Sequence, residues 1–496
     1  MFHYGSHHLT REKCLALASG RLKGELSPEA WERVRASRSS VERMAAGDKA
    51  VYGINTGFGP LCDTQITPEQ TSKLQENLLL SHAVGVGEPI APLLSKVMLI
   101  CKVQALAQGY SGVRPIIIER LLYFIEHDLL PVVPEQGSVG ASGDLAPLAH
   151  LFLPLLGEGE MWQNGRVVPA SSVLSAHHLA PLQLAAKEGL ALINGTQFIL
   201  AHAVLGLDKM AYLLDLADLT GAMSLEGFQG SAAPFREDLH ALRPFAGSIR
   251  VAERIRHFLE GSENMASHAA CSRVQDPYSL RCMPQVHGAS RNAFAHLEEL
   301  VDVELNAVTD NPIILDEETA ISGGNFHGQP LAMALDYCCV AAAELGNIAD
   351  RRCYLLLEGR YGLPRLLTTA GGLNSGLMIP QYTTAALVTE NKSLCFPASA
   401  DSIPTSLGQE DHVSMGSISG RRFNQILGNL EKILAIEMLY AAQAMDFRRP
   451  LRFSEILEYN HALVRAYVPT LEEDRMLKND IAALLRLVAQ RKFRLH

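Results

Sequence analysis

The chain has 496 residues, 48% apolar and 19% charged, and 43 Lys and Arg against 53 Asp and Glu leave a net charge of −10. The charged share lies below the roughly 25% usual for soluble domains, which excludes disorder and fibrous structure. The acidic residues are scattered, so no surface attracts a phosphate backbone and nucleic acid is not an expected partner. A long chain this short of charge has too little polar material to cover a monomer, and an oligomer is expected.

At the start, Met1-Phe2-His3-Tyr4-Gly5 lacks the basic residues and apolar core of a signal peptide, so export is not expected. Nine cysteines, with no CxxC pair and with Cys338 and Cys339 adjacent in an apolar stretch, read as small core residues of a reducing compartment. A cytoplasmic location follows as the expectation. Two stretches without formal charge, Gly189 to Leu207 and Leu366 to Thr389, have the length of membrane spans. Both are interrupted by Asn, Thr, Gln and Gly, the second also by Pro380, and such amides are costly in lipid. They read as interior segments around a buried site, and no membrane partner is expected.

Along the chain, small glycine-rich islands alternate with long apolar periodicities. The first islands are Tyr52 to Gly59, Ser81 to Gly87 and Gly137 to Asp144. Asn164-Gly165 between Met161-Trp162 and Val167-Val168 predicts a hairpin. Apolar residues at three- and four-residue spacing predict helices over Thr196 to Leu219, Gln329 to Leu357 and Arg422 to Met445. The last contains Ile426, Leu427, Leu430, Ile433, Leu434, Ile436, Leu439 and Tyr440, which nearly encircle a helix and suit the centre of a bundle. Between these helices, Pro312 to Ile321 predicts a second hairpin, and Gly323 to Gly328 and Gly371 to Gly376 are further islands. The expected fold is mainly α: a smaller, more irregular N-terminal part, 1–190, carrying the loop discussed next, and a central bundle of long helices with C-terminal helices, 191–496. Glycine serves where backbone turns tightly or approaches a ligand, and islands so far apart in sequence can converge on one site.

The most informative island is Gly137-Ser138-Val139-Gly140-Ala141-Ser142-Gly143-Asp144-Leu145-Ala146-Pro147-Leu148-Ala149-His150. A nucleophile elbow, G-x-S-x-G, needs glycine where Asp144 stands, and no preceding strand is expected. A second reading is a glycine-rich loop capping a helix that starts near Asp144. A third suits the residue types better. If the Gly143 nitrogen reaches the Ala141 carbonyl carbon, a five-membered ring closes, and loss of two waters, one from the Ser142 side chain, leaves an exocyclic methylidene. Small residues on both sides of Ser142 are what this closure requires.

The run Gly140 to Leu148 resembles the self-cyclising loop of the aromatic amino acid ammonia-lyases and aminomutases, whose prosthetic group is 4-methylideneimidazol-5-one. Further segments match in the same order, from Tyr52-Gly53-Ile54-Asn55-Thr56-Gly57-Phe58-Gly59 to Gln409-Glu410-Asp411-His412-Val413-Ser414-Met415, so the resemblance spans nearly the whole chain. It implies a fumarase/aspartase-like helical fold, a homotetramer with active sites shared between subunits, and an electrophile formed from Ala141, Ser142 and Gly143 without any external cofactor. Ser81-His82 and Gln409-Glu410-Asp411-His412 are similar to the histidine-specific members, which implies elimination of ammonia from L-histidine to give trans-urocanate. An imidazole carries a donor and an acceptor, so a pocket with an imidazole and a carboxylate pairs with both nitrogens, whereas a phenyl or phenol ring leaves polar groups unpaired.

The same resemblance assigns residues to tasks. The α-ammonium is a poor leaving group and the β-hydrogen weakly acidic, so elimination needs an electrophile for the amine and a base for the proton. Tyr52 is implied as the base, expected to ionise more easily than the usual tyrosine pKa of about 10. His82 and Glu410 are implied to grip the substrate imidazole, with Glu410 also the next candidate for the proton step. In Val274-Gln275-Asp276-Pro277-Tyr278-Ser279-Leu280-Arg281, Arg281 is implied to hold the carboxylate in a bidentate fork, and Gln275 and Tyr278 match residues lining the same site, Tyr278 among the catalytic ones. Asn194 is an amide in apolar surroundings whose burial demands a hydrogen-bond partner such as the ring carbonyl or the substrate. Phe326 matches an aromatic beside the ring, with a plain core phenylalanine as the alternative. No metal is expected. The pairs His7-His8 and His177-His178 have no facing Cys, Asp or Glu at ligand spacing, and HExxH, P-loop and GxGxxG motifs are absent. Tyrosine or phenylalanine lyases, 2,3-aminomutases, and an uncyclised relative that only binds amino acids remain alternative functions.

Overall fold

Regular apolar spacing forms helix wherever it persists over several turns, because only that period turns one face toward a common core. The three longest periodicities are accordingly the helices Gln197–Phe228, Gln329–Leu357 and Gly416–Asp446. The structure, a computed structural model, describes residues 1–61, 64, 66–269 and 274–496. It is 60% helical, and its strands are short. Both expected hairpins form: Glu160–Gln163 pairs antiparallel with Arg166–Pro169, and Ile313–Ile314 pairs with Ala320–Ile321. Asn164 and Gly165 turn the first of these with φ of 51° and 73°, the pair of left-handed residues that a two-residue hairpin requires.

The chain forms two compact units that interleave in sequence. The first comprises Met1–Leu205, Leu297–Leu335 and Pro397–Arg421; the second comprises Gly206–His296, Asp336–Phe396 and Arg422–His496.

In the first unit the helices Pro68–His82, Leu145–Phe152 and Glu188–Ile193 pack on one another. That trio puts three chain ends together: His82 closes the first helix, the Ser142 loop enters the second, and Asn194 follows the third. Helix Pro92–Leu106 is buried along its whole length from Leu94 onward.

In the second unit every one of the eight encircling residues from Ile426 to Tyr440 is buried, as a helix at the centre of a bundle demands. Two buried polar clusters inside this unit centre on Glu437 and Asp218. Arg352 donates to Glu437 at 2.5 and 3.0 Å, and Glu437 also accepts from the hydroxyls of Thr220 (2.8 Å) and Ser224 (2.9 Å). His287 donates from Nδ1 to Asp218 at 2.9 Å, which also accepts from Arg254 and Arg291. Burial holds the His287 pKa below its usual value, so the ring is neutral and its Nε2 accepts from Arg352.

Seven cysteines are free thiols, and the remaining two, Cys62 and Cys271, lie outside the described residues. Among the described residues one helix, Gln329–Leu357, is long and apolar enough to cross a membrane, and 72% of its most apolar window is buried within the protein. The uncharged stretch Gly189 to Leu207 breaks at Asn194, between helix Glu188–Ile193 and helix Gln197–Phe228.

Candidate active site

The glycine-rich loop is bent where its residue types permit. Ser142 and Gly143 both have left-handed backbone, with φ of 52° and 80°. A Cβ on Gly143 would lie 2.1 Å from the Gly195 carbonyl oxygen, so only glycine fits there. A short strand, Pro134–Gln136, does precede the loop, contrary to expectation, but Gly137 to Ala141 separate it from Ser142 and no nucleophile elbow forms.

The capping expectation also needs revision. Asp144 precedes helix Leu145–Phe152 but makes no side-chain bond to it. Its carboxylate instead accepts from the backbone N–H groups of Phe198 and Ile199, both at 3.0 Å, at the start of helix Gln197–Phe228, and from the Ser138 hydroxyl at 3.2 Å. Complete burial pushes the Asp144 pKa up to about 7, against the pull of these donors and of Lys102. One buried carboxylate thus ties the loop to the helix that follows Asn194.

Asn194 completes the cradle. Its amide donates to the Ser142 carbonyl oxygen at 3.2 Å, the Gly195 N–H lies 3.5 Å from the same oxygen, and the Asp144 N–H donates to the Gly195 carbonyl at 2.8 Å. On the other side the Ser142 hydroxyl donates to Glu410 at 2.9 Å. The second oxygen of Glu410 accepts from Thr405 and Ser406, each at 2.9 Å, which fixes the carboxylate facing Ser142.

Two hollows of the first unit meet at these residues. One, of 940 Å³, is lined by Tyr52, His82, Ser142, Asn194 and Glu410 together with apolar side chains such as Leu74, Leu78 and Leu190. The other, of 500 Å³, shares Tyr52, Ser142, Asn194 and Glu410 and adds Ala141, Asn311, Phe326, His327, Asp411 and His412. Tyr52 sits in a turn closed by Asn55, which accepts from the Val51 N–H at 2.8 Å and donates to the Lys49 carbonyl at 3.0 Å. His82 meets the Ser81 hydroxyl at 3.0 Å. Burial lowers its pKa, with the Leu78 backbone and the Glu410 charge pulling it back up. A neutral imidazole and a fixed carboxylate therefore face one cavity beside Ser142.

Gln275, Tyr278 and Arg281 line neither hollow; they belong to the second unit. The Arg281 guanidinium stacks over the Tyr278 ring at 4.6 Å and donates from Nε to the Asp276 carbonyl at 2.9 Å, and Tyr278 is 70% exposed. Sequence reasoning did not single out Asn311, which bonds Ser322 and Gly323, or His327, whose Nε2 meets the His412 carbonyl at 3.3 Å. Their neighbouring glycine island at Gly323 to Gly328 was the only signal. Among the described residues no three His, Cys, Asp or Glu side chains gather as metal ligands.

A family model described as aromatic amino acid lyase matches residues 9–466. A histidine ammonia-lyase of Symbiobacterium thermophilum is 49% identical over 97% of this chain and 95% of its own length. The crystal structure of a histidine ammonia-lyase from Trypanosoma cruzi superposes with a TM-score of 0.90 at 42% identity, covering 98% of this chain and 92% of that one. The tyrosine aminomutase from Streptomyces globisporus superposes with a TM-score of 0.93 at 34% identity, covering 99% and 98% of the two chains. With a loop bent at Ser142 and Gly143, a carbonyl cradled by Asn194, and matches of this extent, the chain belongs to the aromatic amino acid lyase family.

Proposed function

We propose that this protein eliminates ammonia from L-histidine to give trans-urocanate, with an electrophile made from Ala141, Ser142 and Gly143. The observation that carries the reading is the cavity in which Tyr52, His82, Asn194 and Glu410 surround Ser142. The loop suits ring closure: left-handed backbone at Ser142 and Gly143 folds the segment back, and side-chain-free Gly143 lies against Gly195. In that closure the Gly143 nitrogen bonds to the Ala141 carbonyl carbon, whose oxygen leaves as water, and the Ser142 hydroxyl leaves as a second water with the Ser142 α-hydrogen. The closed ring supplies an exocyclic methylidene that takes the substrate amine.

The other residues bind, orient and move protons. Asn194 donates to the Ser142 carbonyl oxygen, drawing electron density toward it. Tyr52, at the edge of both hollows, is the group that removes the β-proton. His82 and Glu410 pair with the two nitrogens of the substrate imidazole, one as donor or acceptor and one as acceptor. The Leu74, Leu78 and Leu190 wall excludes water, which strengthens each of these interactions.

The substrate carboxylate still needs a cation, and Arg281 beside the exposed Tyr278 supplies it from another copy of the chain. A homotetramer is the assembly we infer. Met333, Tyr337 and Val340 form one exposed stripe on helix Gln329–Leu357, and Ile379 and Tyr382 stand exposed on helix Met378–Leu394, apolar surfaces of the kind that subunits cover.

Presenting purified enzyme with L-histidine, L-tyrosine and L-phenylalanine in parallel, and following ammonia release, tests the substrate. Release from L-histidine at a kcat/KM at least roughly a hundredfold above the other two is expected, since unpaired buried polar groups discriminate strongly. A preference for tyrosine would assign His82 and Glu410 other tasks.

A further inference from the structure

We propose that Lys102 is a positioning residue for the self-cyclising loop: its ammonium clamps the backbone at Asn194, so that the Asn194 amide is held against the Ser142 carbonyl. The inference rests on the reading that Ala141, Ser142 and Gly143 close into a ring.

Lys102 lies on helix Pro92–Leu106 amid apolar residues and is 1% exposed. An ammonium is costly to strip of water, and an apolar residue there would avoid the cost. Its Nζ donates to the carbonyls of Asn194 at 2.5 Å and Ala191 at 3.1 Å, where the chain leaves helix Glu188–Ile193. The charge around it is balanced at a distance. Asp310 and Asp144 favour the ammonium and Lys187 opposes it, while Asp310 is itself paired with Lys187 at 2.5 Å and with the Ser111 hydroxyl at 2.8 Å. Burial brings the Lys102 pKa down to about 7, against the pull of Asp310 and Asp144.

What the clamp holds is the turn that touches the loop. Asn194 and Gly195 make all three contacts to Ser142 and Asp144 described above, through the Asn194 amide, the Gly195 N–H and the Gly195 carbonyl. Lys102 occupies the Asn194 carbonyl, which fixes that peptide and leaves the side-chain amide aimed at the Ser142 oxygen. Without it both carbonyls lose a buried donor and the amide loses its fixed origin, although nothing on Lys102 touches the loop itself.

The test uses the full-length enzyme with Lys102→Met, which keeps most of the length but donates nothing, and Lys102→Gln, which donates without charge. Intact mass reads ring formation as a deficit of two waters, and thermal unfolding reads the fold. Lys102→Met is expected to show the deficit in a minor fraction and a turnover at least roughly tenfold lower, and Lys102→Gln to recover most of the deficit. In an Asn194→Ala background Lys102→Met is expected to cost little further, since both act through one contact. A full deficit with unchanged turnover in Lys102→Met overturns the proposal, as do additive losses or a Gln variant no better than Met. Failure of both variants to fold also overturns it, because Lys102 is then merely structural. A wild-type mass equal to the translated sequence overturns the ring reading itself, an outcome separable from all of these.

Discussion

Tyr52→Phe removes a hydroxyl and leaves the ring's volume, so it isolates proton transfer from packing. Turnover is expected to fall by at least roughly a hundredfold with little change in unfolding temperature, the usual loss when general-base help disappears. Unchanged turnover would move the proton step to another group, Glu410 first. His82→Leu tests the specificity argument. Losing one polar partner of the imidazole is expected to cost about 1 to 3 kcal/mol in kcat/KM for L-histidine, roughly fivefold to over a hundredfold, with activity toward L-phenylalanine steady or raised. An equal fall for every substrate would make His82 a structural residue. The resemblance singled these two side chains out, and both line the hollow beside Ser142. Lys102 was not legible. A lysine in an apolar helix reads as a solvent-facing charge until the fold brings the Asn194 carbonyl to it.

Elements were read well where one face repeats and less well where a partner decides. The helix Gln329–Leu357 has the bounds its periodicity gave, while Gln197–Phe228 continues past Leu219 and Gly416–Asp446 begins before Arg422. The Asp144 carboxylate shows the limit most clearly. Its position predicts a cap for the helix it precedes, yet the N–H groups it satisfies belong to another helix more than fifty residues on. In the second unit Glu437 is the element-scale counterpart. Glu437→Leu leaves Arg352 buried without its carboxylate, and a loss of about 3 to 5 kcal/mol in unfolding free energy is expected from chemical denaturation. A loss below about 1 kcal/mol would show that the pair is dispensable to the bundle.

For the whole molecule, the interleaving of two compact units is invisible to any local pattern, since it depends on which distant segments pack together. The cluster of Gln275, Tyr278 and Arg281, grouped with the loop by resemblance, lies in the second unit with Tyr278 open to solvent. A site completed by another copy predicts complementation. Tyr52→Phe and Arg281→Ala, each nearly inactive alone, are expected to regain L-histidine turnover when co-expressed, because some mixed sites receive Tyr52 and Arg281 intact. Continued inactivity of the mixture, with mixed assemblies confirmed by mass, would place both residues' contributions within one chain.

The most direct measurement is urocanate formation from L-histidine by the wild type beside Ser142→Ala, with folding of both followed by circular dichroism. The wild type is expected to yield urocanate and ammonia in equal amounts, and the folded Ser142→Ala protein, with no hydroxyl to lose as water, to fall by several orders of magnitude. Comparable urocanate rates in the two proteins, or no urocanate from the wild type, would contradict an elimination driven by an electrophile built from Ala141, Ser142 and Gly143.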